Sequence, residues 1–230
     1  ALFTSDKYIS FAKFEKSYRS KYHIERKKFS AEFIWHTIRT YIEGYNVDEY
    51  LNPEGYNAIS TNERTIDKEN FKKIYEDIWE KWYLKLLNDG YWDDQYLIRH
   101  VLKNEYIIPK YPIIFCDEAQ DFTKIELQFL LRSCLFFKYD LLSFERLTSN
   151  DNINIPFAFA GDPFQTINPT GFRWSQLQAK FHESVKKIRK DIPVHLKLES
   201  LTQNYRSTRN IVDFSNLIQY YRKMITEKDK

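Results

Sequence analysis

Two cysteines in 230 residues, Cys116 and Cys134, are too few for a disulfide framework, and the economical reading is a reduced, cytoplasmic protein. Five histidines, at positions 23, 36, 100, 182 and 195, show no spacing to cysteine or carboxylate that a zinc site would need. No apolar run reaches membrane-spanning length, since the most apolar stretch, Leu127 to Phe137, is interrupted by Arg132. No signal peptide opens the sequence, and no membrane partner is expected. The formal net charge of +3 is too small to announce a nucleic-acid binder, so any DNA contact must come from local patches. The five glycines are followed by Tyr45, Tyr56, Tyr91, Asp162 and Phe172, never by lysine, which excludes a Gly-x-x-x-x-Gly-Lys-Ser/Thr phosphate loop from these residues. Methionine occurs once, at Met224, and residue 1 is Ala; the sequence is read as an excised piece of a longer protein.

What is abundant is aromatic, at 17% of residues, and packing is its default explanation. Before residue 105 the pattern is helical. Ser30 can cap a helix running to about Glu43, with Phe33, Ile34, Ile38, Tyr41 and Ile42 on one stripe. Asp67 can start a longer helix with Phe71, Ile74, Tyr75, Ile78, Trp82 and Leu86 along one face, stopped near Gly90. A shorter helix runs from about Asp93 to Leu102. Between the first two, Gly44 to Asn62 is polar, carries Pro53, and reads as a connecting loop.

After residue 105 the pattern turns to strand, helix, strand. The run from Ile113 to Cys116 reads as a short buried strand delivering Asp117 and Glu118 to its end, where one carboxylate can bind Mg²⁺ and its neighbour can orient water. Thr123-Lys-Ile-Glu126 is a capping-box sequence that starts the next helix. A second apolar run, Phe157 to Ala160, ends in Gly161 and Asp162, with Gln165 three residues on. Trp174, Leu177, Phe181, Val185 and Ile188 trace an amphipathic helix, a third apolar run covers Val194 to Leu198, and a last helix begins after Ser207. Three strands releasing polar residues at one end are how an open α/β sheet builds a nucleotide site.

Asp117-Glu-Ala-Gln-Asp121, Gly161-Asp-Pro-Phe-Gln165 and Leu201-Thr-Gln-Asn-Tyr-Arg-Ser207 together resemble motifs II, III and IV of the UvrD/Rep-type superfamily 1 DNA helicases, in family order. The resemblance implies an α/β fold, a partial RecA-like P-loop NTPase domain of parallel sheet and flanking helices with an inserted all-α subdomain. It implies a helical 1B-like insertion over 1–105, the C-terminal part of motor domain 1A over 106–198, and the start of domain 2A over 199–230. It places the P-loop upstream of Ala1 and the rest of the second motor domain after Lys230. The cofactors implied are ATP and Mg²⁺, and the partner is single-stranded DNA or single/double-strand junctions. The parent would be a monomeric 3′ to 5′ translocase or helicase of DNA repair or replication, and the fragment alone would be silent.

By the same resemblance Asp117 helps hold Mg²⁺, and Glu118 acts as general base and reaches the metal through water. Gln165 senses the γ-phosphate, Arg206 stabilises the transferring phosphoryl group, and Tyr205 stacks on adenine or, alternatively, packs at a domain interface. The family's stretch after motif III departs from its pattern here, reading Ile167-Asn-Pro-Thr-Gly-Phe-Arg-Trp174. Phe172 and Arg173 keep the DNA-stacking and backbone roles, or Trp174 packs inside the next helix and the platform is remodelled. Two other classes stay open. A degenerate scaffold would bind nucleotide or a partner without turnover, and a metal-dependent nuclease could use Asp117 and Glu118 without the other two segments.

Overall fold

The computed structural model describes residues 3–23, 27–61, 63–135, 157–162, 178–179, 181–183, 185–186, 199–200 and 205–228. Two units divide the chain, Ala1–Val194 and His195–Lys230.

Helices of the first unit begin where a short polar side chain can accept from the orphan N–H groups of the first turn. Ser10 caps α1 (Phe11–Lys21), and Ser30 caps α2 (Ala31–Thr37) by accepting from Phe33 N–H at 3.1 Å. α2 runs on into a π-helical segment, Ile38–Glu43. Asn52 caps α3 (Pro53–Ala58). This helix lies inside the stretch expected to be a loop: Pro53 occupies the first helical position, where its missing N–H costs nothing and its fixed φ favours the turn. Asp67 starts α4 (Lys68–Ile74), which continues through a second π segment, Tyr75–Tyr83, into α5 (Leu84–Asn88). Gly90, at φ +84°, ends that helix in the left-handed conformation glycine adopts without strain, while Tyr91 N–H reaches back to the Leu86 carbonyl. Asp93 caps α6 (Asp94–Lys103).

The core of this helical body is aromatic. Tyr56 stacks on Phe71 with ring centroids 3.9 Å apart, and Tyr41 meets Tyr56 edge-on at 5.1 Å. Phe14 stacks against Trp82, and Trp79 is fully buried. Three buried tyrosine hydroxyls donate to main-chain carbonyls: Tyr18 to Phe29, Tyr56 to Ile66, Tyr41 to Glu63. A tyrosine so satisfied keeps the value of a buried ring, about 1.5–3 kcal/mol each, without the cost of an unpaired hydroxyl.

After α6 come β1 (Ile114–Cys116), α7 (Lys124–Ser133) and β2 (Phe157–Phe159). β1 and β2 pair in parallel, with Ile114 opposite Phe157 and Cys116 opposite Phe159. Here the expectation of an α/β, RecA-like P-loop NTPase domain is overturned. The described residues are mostly helical, and their only sheet has two strands of three residues. A strand in a parallel sheet covered by helices is buried on both faces. Instead Phe115 is 77% exposed and Ile113 55%, so among the described residues nothing covers one side of β1. Beneath the other side, Leu131 packs with Phe181 and Val185 against Phe157 and Phe159. The third expected strand, 194–198, and most of the expected helix over 174–188 lie outside the described residues. The second unit contains α8 (Arg209–Lys228), with Ile211, Phe214, Leu217 and Ile218 exposed. No helix among the described residues is long and apolar enough to cross a membrane.

Candidate functional site

At the end of β1 the chain turns sharply. Asp117 follows the strand, and its carboxylate accepts Glu118 N–H at 2.9 Å. Glu118 sits in the left-handed region at φ 50°, ψ 42°, a conformation that costs a non-glycine residue about 1–3 kcal/mol and tends to persist where surrounding contacts over-determine it. The contacts are on hand. Ala119 N–H donates to the Ala160 carbonyl at 2.8 Å and Ala160 N–H to the Cys116 carbonyl at 2.8 Å, extending the strand pairing past the acids. Gln120, 1% exposed, donates its amide to Glu118 Oε2 and accepts Asp162 N–H at 3.2 Å.

One buried amide therefore ties the Glu118 carboxylate to the segment leaving β2. Gly161 is what permits that approach. A Cβ at position 161 would stand 2.3 Å from Gln120 Oε1, closer than real Cβ atoms come, and a tight 3.2 Å from Ala119 N. Asp117 and Glu118 remain exposed while Gln120 beneath them is buried, so two carboxylates face solvent on a fixed turn. The donor set suits a Mg²⁺–nucleotide complex, because Mg²⁺ keeps several waters and is usually held by one or two carboxylates plus phosphate oxygens. Among the described residues no cluster of three or more His, Cys, Asp or Glu side chains could hold a metal by itself.

α7 fixes the turn to the helical body. Thr123 and Glu126 close the expected capping box, with Thr123 N–H donating to Glu126 Oε2 at 2.7 Å. The other Glu126 oxygen accepts from Arg39 at 2.6 Å and from Gln95 at 2.7 Å, while Thr123 donates to Gln95 at 3.0 Å. Arg39 and Gln95 were not expected here. Neither makes a motif: Arg39 comes from the π segment Ile38–Glu43, and Gln95 from α6, which packs beside α7.

Nearby is a buried ionisable cluster that the sequence also concealed. Glu43 is wholly buried, and neither of its carboxyl oxygens finds a donor. Burial first, and then the neighbouring Asp93 charge, push its acid well above the usual value, against the opposing pull of Arg99. When it takes up a proton, Glu43 can donate toward Asp93, whose Oδ2 accepts the Tyr83 hydroxyl at 2.5 Å. Arg99 donates to the carbonyls of Glu43 and Val47 and lies 4.5 Å over the Tyr50 ring.

Because the folded-state value of Glu43 is raised, the stability it contributes is complete below its ordinary value of 4.5 and is lost as pH rises through the folded value. Glu43→Gln, whose amide can still donate to Asp93, should stabilise the protein by about 1–3 kcal/mol toward pH 8. It should also flatten the fall in melting temperature as pH rises above 4.5. Parallel pH profiles for the two proteins would refute the shared proton.

The other expected site residues are less placed. Gln165, Phe172, Arg173 and Trp174 lie outside the described residues. Tyr205 and Arg206 are exposed on a bend before α8, in the second unit. No family model matches the chain, and no solved structure matches it. It is similar, at 25% identity over 234 residues, to the human "TPR and ankyrin repeat-containing protein 1". That match takes in 93% of this chain and 7% of the length of the relative.

Proposed function

We propose that this chain supplies the acidic part of a Mg²⁺–ATP site to a longer, ATP-dependent single-stranded DNA translocase or helicase. The observation that carries the reading is the Gln120 bridge, which holds Glu118 against the Gly161–Asp162 segment that leads to Gln165. A carboxylate fixed by a buried amide, on a turn that points it to solvent, is suited to accept a proton from an attacking water. Asp117 would hold the cation, which when bound to ATP neutralises charge on the β- and γ-phosphate oxygens. By the same reading Arg206 would supply a fixed positive charge and Tyr205 a ring for the base, Gln165 would sense the γ-phosphate, and Phe172, Arg173 and Trp174 would contact DNA.

The test is ATP turnover by the full-length protein with and without single-stranded DNA. DNA-stimulated turnover supports the motor; nucleotide binding without turnover, DNA present, overturns it. A second reading, a partner-binding scaffold without turnover, is favoured by the apolar residues that α8 exposes and by the repeat-containing relative. It predicts the latter outcome.

A further inference from the structure

The helical body holds a cavity of about 330 Å³ in which three aromatic rings, Tyr8, Phe11 and Trp35, meet two carboxylates, Asp93 and Asp94. Phe11 and Trp35 are splayed, with centroids 6.0 Å apart and planes at 58°. Tyr8 turns its hydroxyl onto Asp94, at 3.1 and 3.3 Å from the two oxygens.

The electrostatics of the lining are one-sided. Arg39 reaches the cavity, but its guanidinium is matched by Glu126 at 2.6 Å, and the Gln95 amide is engaged by Glu126 and Thr123. Asp93 is opposed in part by Arg99, so what remains is chiefly the charge of Asp94. Asp93 is buried and accepts from Tyr96 N–H and the Tyr83 hydroxyl. Asp94 is exposed, and one bifurcated hydroxyl proton does not exhaust a carboxylate that offers about four lone-pair sites. Aromatic faces are negative as well, so rings and acids attract the same kind of guest. A phosphate or carboxylate would be repelled. The volume, at the small end for ligand pockets, suits one compact group rather than a drug-sized molecule.

We infer that this cavity binds a quaternary ammonium group, with the Tyr8, Phe11 and Trp35 rings around its methyls and Asp94 at its mouth. The same chemistry occurs in choline-type small molecules and in the trimethylated lysine of a protein. The inference is independent of the ATP reading, since it uses none of the acidic-turn residues.

Calorimetric titration of the full-length protein with choline and with 3,3-dimethylbutan-1-ol, its neutral isostere, tests the site. Choline should bind at least about tenfold more tightly. Asp94→Asn, a change at an exposed side chain, should remove most of that difference, and Phe11→Leu should weaken choline severalfold while leaving the melting temperature close to wild type. Equal binding of the two ligands, no saturable choline binding, or full affinity in Asp94→Asn would overturn it. A trimethyllysine peptide is the remaining arm: tighter binding than choline assigns the site to a protein partner, and equal binding to a free small molecule.

Discussion

Glu118→Gln in the full-length protein is expected to lower DNA-stimulated ATP turnover by about 10²–10⁴-fold, the usual worth of a positioned general base. The substitution is nearly isosteric, and the new amide oxygen can still accept from Gln120, so the left-handed turn and its strand contacts should survive. Asp117 is untouched, and affinity for Mg²⁺–ATP should stay within a fewfold of wild type. The signature is thus a fall in kcat with little change in nucleotide binding, the pattern of an interaction used in the transition state. Turnover within a fewfold of wild type would remove Glu118 from the chemistry. A collapse in binding would mean that the carboxylate serves the metal and not the water.

The second large effect is structural. Arg99→Ala should destabilise the protein by about 3–5 kcal/mol, because it deletes a cation facing a buried acid pair and leaves the buried Glu43 carbonyl without its donor. Arg99 reaches the carbonyls of Glu43, Val47 and Glu49, which pins the chain between α2 and α3. It also covers Tyr50. Arg99→Lys should recover only part of the loss, since a single ammonium cannot span those acceptors or lie flat on the ring. Denaturant titration measures both; a loss under about 1 kcal/mol for Arg99→Ala would show that the cluster carries little of the stability.

The helical half of the unit was legible for identifiable reasons. Ser30, Asp67, Asp93 and Thr123 are capping residues followed by apolar stripes, and caps and stripes are local. The helix Pro53–Ala58 is harder to read, because a proline in a polar stretch signals a break as readily as a first helical position. The sheet misled for the opposite reason. Ile113-Ile-Phe-Cys116 has the composition of a doubly covered strand, but composition does not say what will cover it, and Phe115 lies exposed. Asp117 and Glu118 were readable as a pair at a strand end, whereas the Gln120 bridge, the Glu126 hub and the Glu43–Asp93–Arg99 cluster needed three-dimensional neighbours. Arg39 and Glu126 are 87 residues apart, a separation over which no periodicity reports.

The parallel pairing of β1 with β2 also sets an order of events in time. Bringing Ile114 beside Phe157 closes about forty residues of chain, at an entropic cost of roughly 3 kcal/mol before a ladder of three residues per strand returns anything. The helices before β1 make most of their contacts with near neighbours and carry most of the buried aromatic surface. Folding that begins with local contacts would complete that body first and would join the two strands late. The turn bearing Asp117 and Glu118 would then take shape only after its support is in place, and would be among the first features lost when that support is weakened.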